Sequence, residues 1–140
     1  AEEGLIEGEA FQTMRHRKAL EANVQVLADV LVKHAVPLGP VDLGLIARET
    51  AQRGLADGLI VSGAATGEET AVSDVSVVRR TIPDGLVLVG SGVNEKNIWQ
   101  VIEHSDGAII GTSLKEDGII TNRVDPERVR RMSEIFRSLP

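Results

Sequence analysis

The sequence predicts a parallel α/β fold assembled from repeated strand-helix units, and three observations carry that reading. Short apolar runs alternate with helix-patterned segments four times over. The runs have almost no polar interruption, as strands in a covered parallel sheet require. Two of them also break into glycine-containing turns about one helix apart: in Leu86–Leu114, Val87-Leu88-Val89 leads into Gly90-Ser91-Gly92, and Ala108-Ile109-Ile110 leads into Gly111-Thr112-Ser113. A βαβ unit brings both turns to one sheet edge, where backbone amides and hydroxyls gather and anions bind well.

The elements follow in order. Gly4-Leu5-Ile6-Glu7-Gly8 reads as the end of a strand, and Glu9 to Ala22 as a helix with Phe11, Met14 and Leu20 among charged neighbours. Val24 to Val32 is rich in β-branched residues and forms the next strand. It ends at Lys33-His34, because Pro37 and Pro40 fix φ and lack an N–H in the loop beyond. Asp42 is placed to cap a helix carrying Leu43, Ile46, Ala47, Thr50 and Ala51 on one side, and Gly54 ends it. Gly58 to Val61 is a short buried strand, followed by the small-residue loop Ser62-Gly63-Ala64-Ala65-Thr66-Gly67, which lets a backbone approach a ligand closely. Ser73 is placed to cap a helix carrying Val75, Val78 and Ile82, and Pro83-Asp84-Gly85 turns the chain into the Leu86 strand. Asn94 caps the next helix, with Ile98, Val101 and Ile102 facing inward. After the charged turn Leu114 to Gly118, Asp125-Pro126 opens a last helix with Val129, Met132, Ser133 and Phe136 in one stripe.

Composition narrows the partners. At 140 residues and 42% hydrophobic, the chain is expected to be one α/β unit over residues 1–140, long enough for a core. A net charge of −6 and only 2% aromatic residues oppose general nucleic-acid binding, which uses a basic face and stacking platforms. The basic runs Arg15-His16-Arg17-Lys18 and Arg128/Arg130/Arg131 fall on helices and read as solvated faces. The lack of cysteine excludes disulfides and thiolate chemistry and is compatible with a cytoplasmic location. No apolar run approaches the roughly 20 residues of a membrane helix, so no transmembrane segment is expected. The absent initiator methionine raises the expectation of a piece of a longer protein.

A doubly wound dinucleotide fold should show G-x-G-x-x-G after its first strand. Here Gly90-Ser91-Gly92 is followed by Val93-Asn94-Glu95, without the third glycine. Paired glycine turns after the last two strands match the phosphate site of many TIM barrels instead. With these segments in hand, the chain resembles the BtpA family of barrel proteins, similar to the ribulose-phosphate-binding superfamily. The resemblance is carried, in order over nearly the whole chain, by Gly4 to Gly8, Ala28-Asp29-Val30-Leu31-Val32-Lys33-His34-Ala35, Gly54-Leu55-Ala56-Asp57, Ser62 to Gly67, Leu88 to Val93 and Ile110 to Lys115. It is a resemblance to the family's C-terminal half. It implies half of a (β/α)8 barrel, with strands corresponding to the fifth to eighth and Gly4 to Glu7 to the end of the fourth. Such a half leaves open sheet edges, so a homodimer or a complementary half-barrel is expected to cover them.

Catalytic groups in barrels lie at the C-terminal strand ends, which makes Glu7, Asp29, Lys33, His34, Ser62, Thr66, Ser91, Thr112 and Lys115 candidates. Asp29, Leu31 and Lys33 share one strand face. If that face is the barrel interior, an acid and an amine converge near the mouth, either as a structural ion pair or with Lys33 as phosphate anchor, base or Schiff-base nucleophile. His34 is either a structural hydrogen-bonder or an acid-base group, and Glu7 either a functional carboxylate or a turn residue. Gly90, Ser91, Gly92, Gly111, Thr112 and Ser113 either bind phosphate or only permit tight turns; Ser62, Thr66, Gly67 and Lys115 extend the candidate pocket. Glu7 and Asp29 do not specify a metal, and no cofactor is expected. Three readings stand: an enzyme-like site for a phosphorylated small molecule or inorganic anion, reaction unspecified; a non-catalytic assembly or stability factor, since the resemblance implies a role in photosystem I biogenesis; or an inactive segment of a longer barrel.

Overall fold

A computed structural model of the chain describes residues 4–32, 34–63 and 69–139. Among them the elements run α1 (Ala10–Ala19), β1 (Leu27–Asp29), α2 (Leu43–Gln52), β2 (Gly58–Val61), α3 (Val72–Thr81), β3 (Leu86–Val89), α4 (Ile98–Ile102), β4 (Gly107–Ala108) and α5 (Pro126–Ser138), with 3-10 turns at Thr112–Leu114 and Glu116–Gly118. The strands form one parallel sheet in the order β1-β2-β3-β4. The alternation of strands and helices expected from the apolar runs is therefore present.

Register divides the sheet into two unlike faces. Leu59, Val61, Val87 and Val89 are buried with Ala47 of α2, Val75 and Val78 of α3, and Ile98 and Val101 of α4. The alternate residues point the other way. Leu27 pairs with Gly58, Asp29 with Ile60, and Ile60 with Leu88, which sets Leu27, Asp29, Ile60 and Leu88 on the second face. That face is half open: Leu27 is 40% exposed and Ile109 48%. Leu27 and Leu86 lean over Gly58 from either side, so that a Cβ there would stand 2.7 and 2.9 Å from their methyl carbons.

A clamp recurs at the N-terminal end of the sheet. Asp57, just before β2, accepts the Val26 amide at 2.7 Å and Arg17 of α1 at 2.6 Å, while its own amide donates to the Val26 carbonyl. Asp106, just before β4, treats Val87 and Arg79 of α3 in the same way, at 2.7 and 2.5 Å. Each aspartate thus ties the start of its strand to the preceding strand and to the helix before that. Backbone donation from Val26 is the main cause holding the Asp57 carboxyl below its ordinary value of 3.8, with Arg17 adding to it against some desolvation. For Asp106 partial burial pushes upward, but the Val87 amide and Arg79 outweigh it and the carboxyl is again lowered.

Several local expectations are corrected. Residues 4–9 carry no strand, because an extended segment without a paired neighbour makes no ladder. The Val24–Val32 strand contracts to Leu27–Asp29 and the Ala108–Ile110 strand to Gly107–Ala108. Both lie at sheet edges, with one neighbour each, although Val30 and Ile109 still donate to Ile60 and Val89 at 3.0 and 2.8 Å. Ser73 lies inside α3, whose cap position is Ala71. Asn94 caps a turn ahead of α4 rather than the helix itself, its side chain accepting from Lys96 at 2.9 Å. Helix α1 is shorter than the expected Glu9–Ala22 and buries none of its residues, and its Phe11 is 72% exposed. By contrast, Asp42 and Asp125 cap α2 and α5 as expected, accepting from Leu45 and from Glu127 and Arg128.

Candidate anion-binding edge

The parallel sheet places the loops after all its strands at one edge, and side-chain hydrogen bonds there link the loops from β1 to α5. Ser62 Oγ donates to Asp29 Oδ1 at 3.1 Å. The Gly63 amide donates to Ser91 Oγ at 3.2 Å, and buried Thr70 donates its hydroxyl to the Ser91 carbonyl at 3.0 Å. Ser113 Oγ donates to the Val93 carbonyl at 2.7 Å, so the turns after β3 and β4 are joined directly. Arg128 of α5 then donates to the Ser113 carbonyl at 3.2 Å.

This bonding turns carbonyls inward. The Gly92 carbonyl accepts from the side-chain amides of Asn94 and Asn97, at 3.1 and 2.9 Å. In a trans peptide the following N–H points opposite to the C=O, so the Val93 amide faces away from those asparagines. By the same reasoning the Gly92 amide faces away from Thr70, and the Thr112 amide away from Leu114, whose own amide occupies the Gly111 carbonyl. The amides of Gly92, Val93 and Thr112 donate to no acceptor among the described residues. Backbone N–H groups left without an acceptor at such an edge are the kind that favour an anion.

Two glycines make the β3 turn feasible. A Cβ at Gly90 would stand 2.5 Å from both Ile60 Cγ2 and Ser62 Oγ, so close packing of the second face demands glycine. Gly92 has φ +71°, in the left-handed region that glycine enters without steric cost. Gly111 differs: nothing lies within 4 Å of a Cβ there.

The other sequence-derived candidates separate. Asp29 ends β1 on the open face, beside Ser62. Lys33, Thr66 and Gly67 lie outside the described residues, and with them the expected convergence of Asp29 and Lys33. His34 is exposed, at φ +56°. Glu7 is exposed ahead of α1. Lys115 sits where the chain pairs back on Val124, past the Thr112 turn. The hydroxyl proton of Ser113 is engaged by Val93, so this serine holds the two turns together.

Sequence reasoning missed Thr70, Asn97 and Arg128. Each acts on a backbone carbonyl far along the chain or across a turn, a relation that periodicity does not reveal. Among the described residues no three His, Asp or Glu side chains gather to hold a metal ion, and no helix is long and apolar enough to cross a membrane.

A single parallel sheet of four strands, with helices between them, defines the class: an α/β protein. The chain belongs to the BtpA family, whose model matches residues 1–138. It is 43% identical to the photosystem I biogenesis protein BtpA of Synechocystis sp., over 99% of this chain and 50% of that protein. An uncharacterized protein of Thermococcus kodakarensis is 38% identical over 99% of this chain and 52% of its own length. The putative sgc region protein SgcQ of Escherichia coli is 33% identical over 94% and 49%. The chain thus spans about half the length of the curated relatives it matches.

Proposed function

We propose that the chain binds the phosphate of a small molecule, or an inorganic anion, at the paired turns Gly90-Ser91-Gly92 and Gly111-Thr112-Ser113, on one half of a (β/α)8 barrel. The observation that carries this reading is the set of amides at Gly92, Val93 and Thr112 that have no acceptor among the described residues, with the neighbouring carbonyls drawn back by Thr70, Asn94 and Asn97. The barrel reading is supported by strand order and by sidedness. A doubly wound sheet reverses its order and carries helices on both faces, whereas here the order is sequential and the buried helix contacts lie on one face. Relatives of about twice the length leave room for the other half.

On this reading Asp29, at the strand end beside Ser62, is an acidic candidate at the mouth, with Lys33, His34 and Glu7 as further candidates. Ser62, Thr66, Gly67 and Lys115 extend the pocket wall. The test is a titration of the isotopically labelled chain with inorganic phosphate, followed by amide resonances. Saturable shifts concentrated at Gly92, Val93 and Thr112 are expected. Shifts confined to surface arginines and lysines would count against the site.

A second reading, a non-catalytic assembly or stability factor, is favoured by the name of the Synechocystis relative together with the half-open apolar face around Leu27 and Ile109. Here a second copy or a complementary half-barrel covers that face, and binding of a partner rather than turnover is the output.

A further inference from the structure

The peptide joining Ser91 to Gly92 is held by a side chain from a different loop. Thr70, buried just before α3, donates its hydroxyl to the Ser91 carbonyl at 3.0 Å across 21 positions of sequence. Ser91 is buried as well, and its Oγ accepts the Gly63 amide at 3.2 Å. The chain after β2 therefore grips both the backbone and the side chain of Ser91. The direction of this peptide is not chosen by Gly92 itself. Gly92 stands at φ +71°, and glycine accepts positive and negative φ about equally well, so a half-turn of the Ser91–Gly92 peptide meets little resistance there. Such a half-turn exchanges the two polar groups: the Ser91 carbonyl oxygen would point where the Gly92 N–H points now. It would also take the acceptor from the buried Thr70 hydroxyl, and an unpaired buried donor is unfavourable. The next peptide differs, because Asn94 and Asn97 fix the Gly92 carbonyl from within the same turn.

We infer that Thr70 is a positioning residue for the anion edge: its hydroxyl fixes the direction of the Ser91–Gly92 peptide and so keeps the Gly92 amide available as a donor to the anion. The inference rests on the anion reading above and adds the side chain that decides whether this turn offers a donor or an acceptor. Thr70 acts through the peptide rather than on the ligand. In the turned-over arrangement an anion would meet the negative end of a carbonyl dipole, so more than one donor is lost. A hydrogen bond to the carbonyl also polarises the peptide and strengthens its N–H as a donor, which works in the same direction. By linkage the effect is reciprocal: an anion on the Gly92 amide strengthens the bond from Thr70.

The test titrates the labelled chain with inorganic phosphate and compares Thr70→Val, which removes the hydroxyl but keeps the branched shape, with Thr70→Ser, which keeps the hydroxyl. Thr70→Val should bind phosphate about tenfold more weakly, the worth of one hydrogen bond, and the shift at Gly92 should shrink more than those at Val93 and Thr112. Thr70→Ser should stay close to the parent. Thr81→Val is the control for a lost hydroxyl bond elsewhere: Thr81 donates to the Val77 carbonyl at 2.9 Å at the end of α3, and its loss should leave phosphate affinity unchanged. Parental affinity in folded Thr70→Val, or equal weakening in Thr70→Val and Thr70→Ser, overturns the positioning role and leaves the anion reading standing. If Thr70→Val does not fold, the parent decides: phosphate should shift the Ser91 carbonyl carbon resonance together with the Gly92 amide, and a Gly92 shift without one at Ser91 overturns the inference. A parent that binds no phosphate overturns the anion reading and this inference with it.

Discussion

At the scale of single residues, two aspartates connect charge to the integrity of the sheet. Asp57 and Asp106 each accept a strand amide and an arginine, and both carboxyls are held below their ordinary value. A depressed carboxyl contributes stability that is present above the unfolded pKa of about 3.9 and is lost as pH falls through the lower folded value. The chain should therefore lose stability progressively below about pH 4. Asp106→Asn should weaken that acid dependence and lower stability at neutral pH by about 1 kcal/mol, a figure reduced from that of a buried charged hydrogen bond because the group is partly solvated. Urea denaturation at pH 7 and pH 3.5 checks both parts. Equal acid sensitivity of the variant and the parent would show that the clamp is not the source.

At the scale of elements, caps were legible and strand lengths were not. Asp42 and Asp125 carry their reasons locally, since a short acceptor side chain can satisfy helix N–H groups within three residues. Asp125→Ala should cost about 1 kcal/mol, read as a lower denaturation midpoint. Because α5 also sends Arg128 to the Ser113 carbonyl, amide exchange at the Thr112–Leu114 turn should rise in the same variant. Unchanged exchange there would show that the turn stands without α5. The lengths of β1 and β4 depend instead on neighbours, which is why a nearly continuous apolar strand, broken only by Gln25 and Asp29, could be read over Val24–Val32 while only Leu27–Asp29 pairs as a strand. Helix α1 makes the same point in reverse: its basic residue Arg17 is fixed by Asp57, forty positions away, whereas its apolar Phe11 faces solvent.

At the scale of the whole molecule, the asymmetry of the sheet carries a prediction about association. One face is sealed by helices; the other leaves Leu27 and Ile109 about half exposed beside edge strands. Exposed edges and apolar faces favour pairing with another chain. Sedimentation velocity over a range of concentrations should show self-association, and Leu27→Lys with Ile109→Lys should shift the chain toward monomer without unfolding it. A stable, well-folded monomer of the parent at all concentrations would remove the reason to invoke a second copy.

The sequence by itself determined the strand-helix alternation, the caps of α2 and α5, the glycine turns and the family, because each is written in near neighbours or in an ordered series of short segments. Tertiary structure decided which face stays open and which hydroxyls are engaged in holding the loops. It also decided that Thr70, Asn97 and Arg128 hold the carbonyls of the loops at the C-terminal edge. Those outcomes depend on parallel register and on peptide orientation across loops distant in sequence. The turn pair was visible as glycines; the direction of its amides was not, because that is set by what accepts or donates on the far side of each peptide.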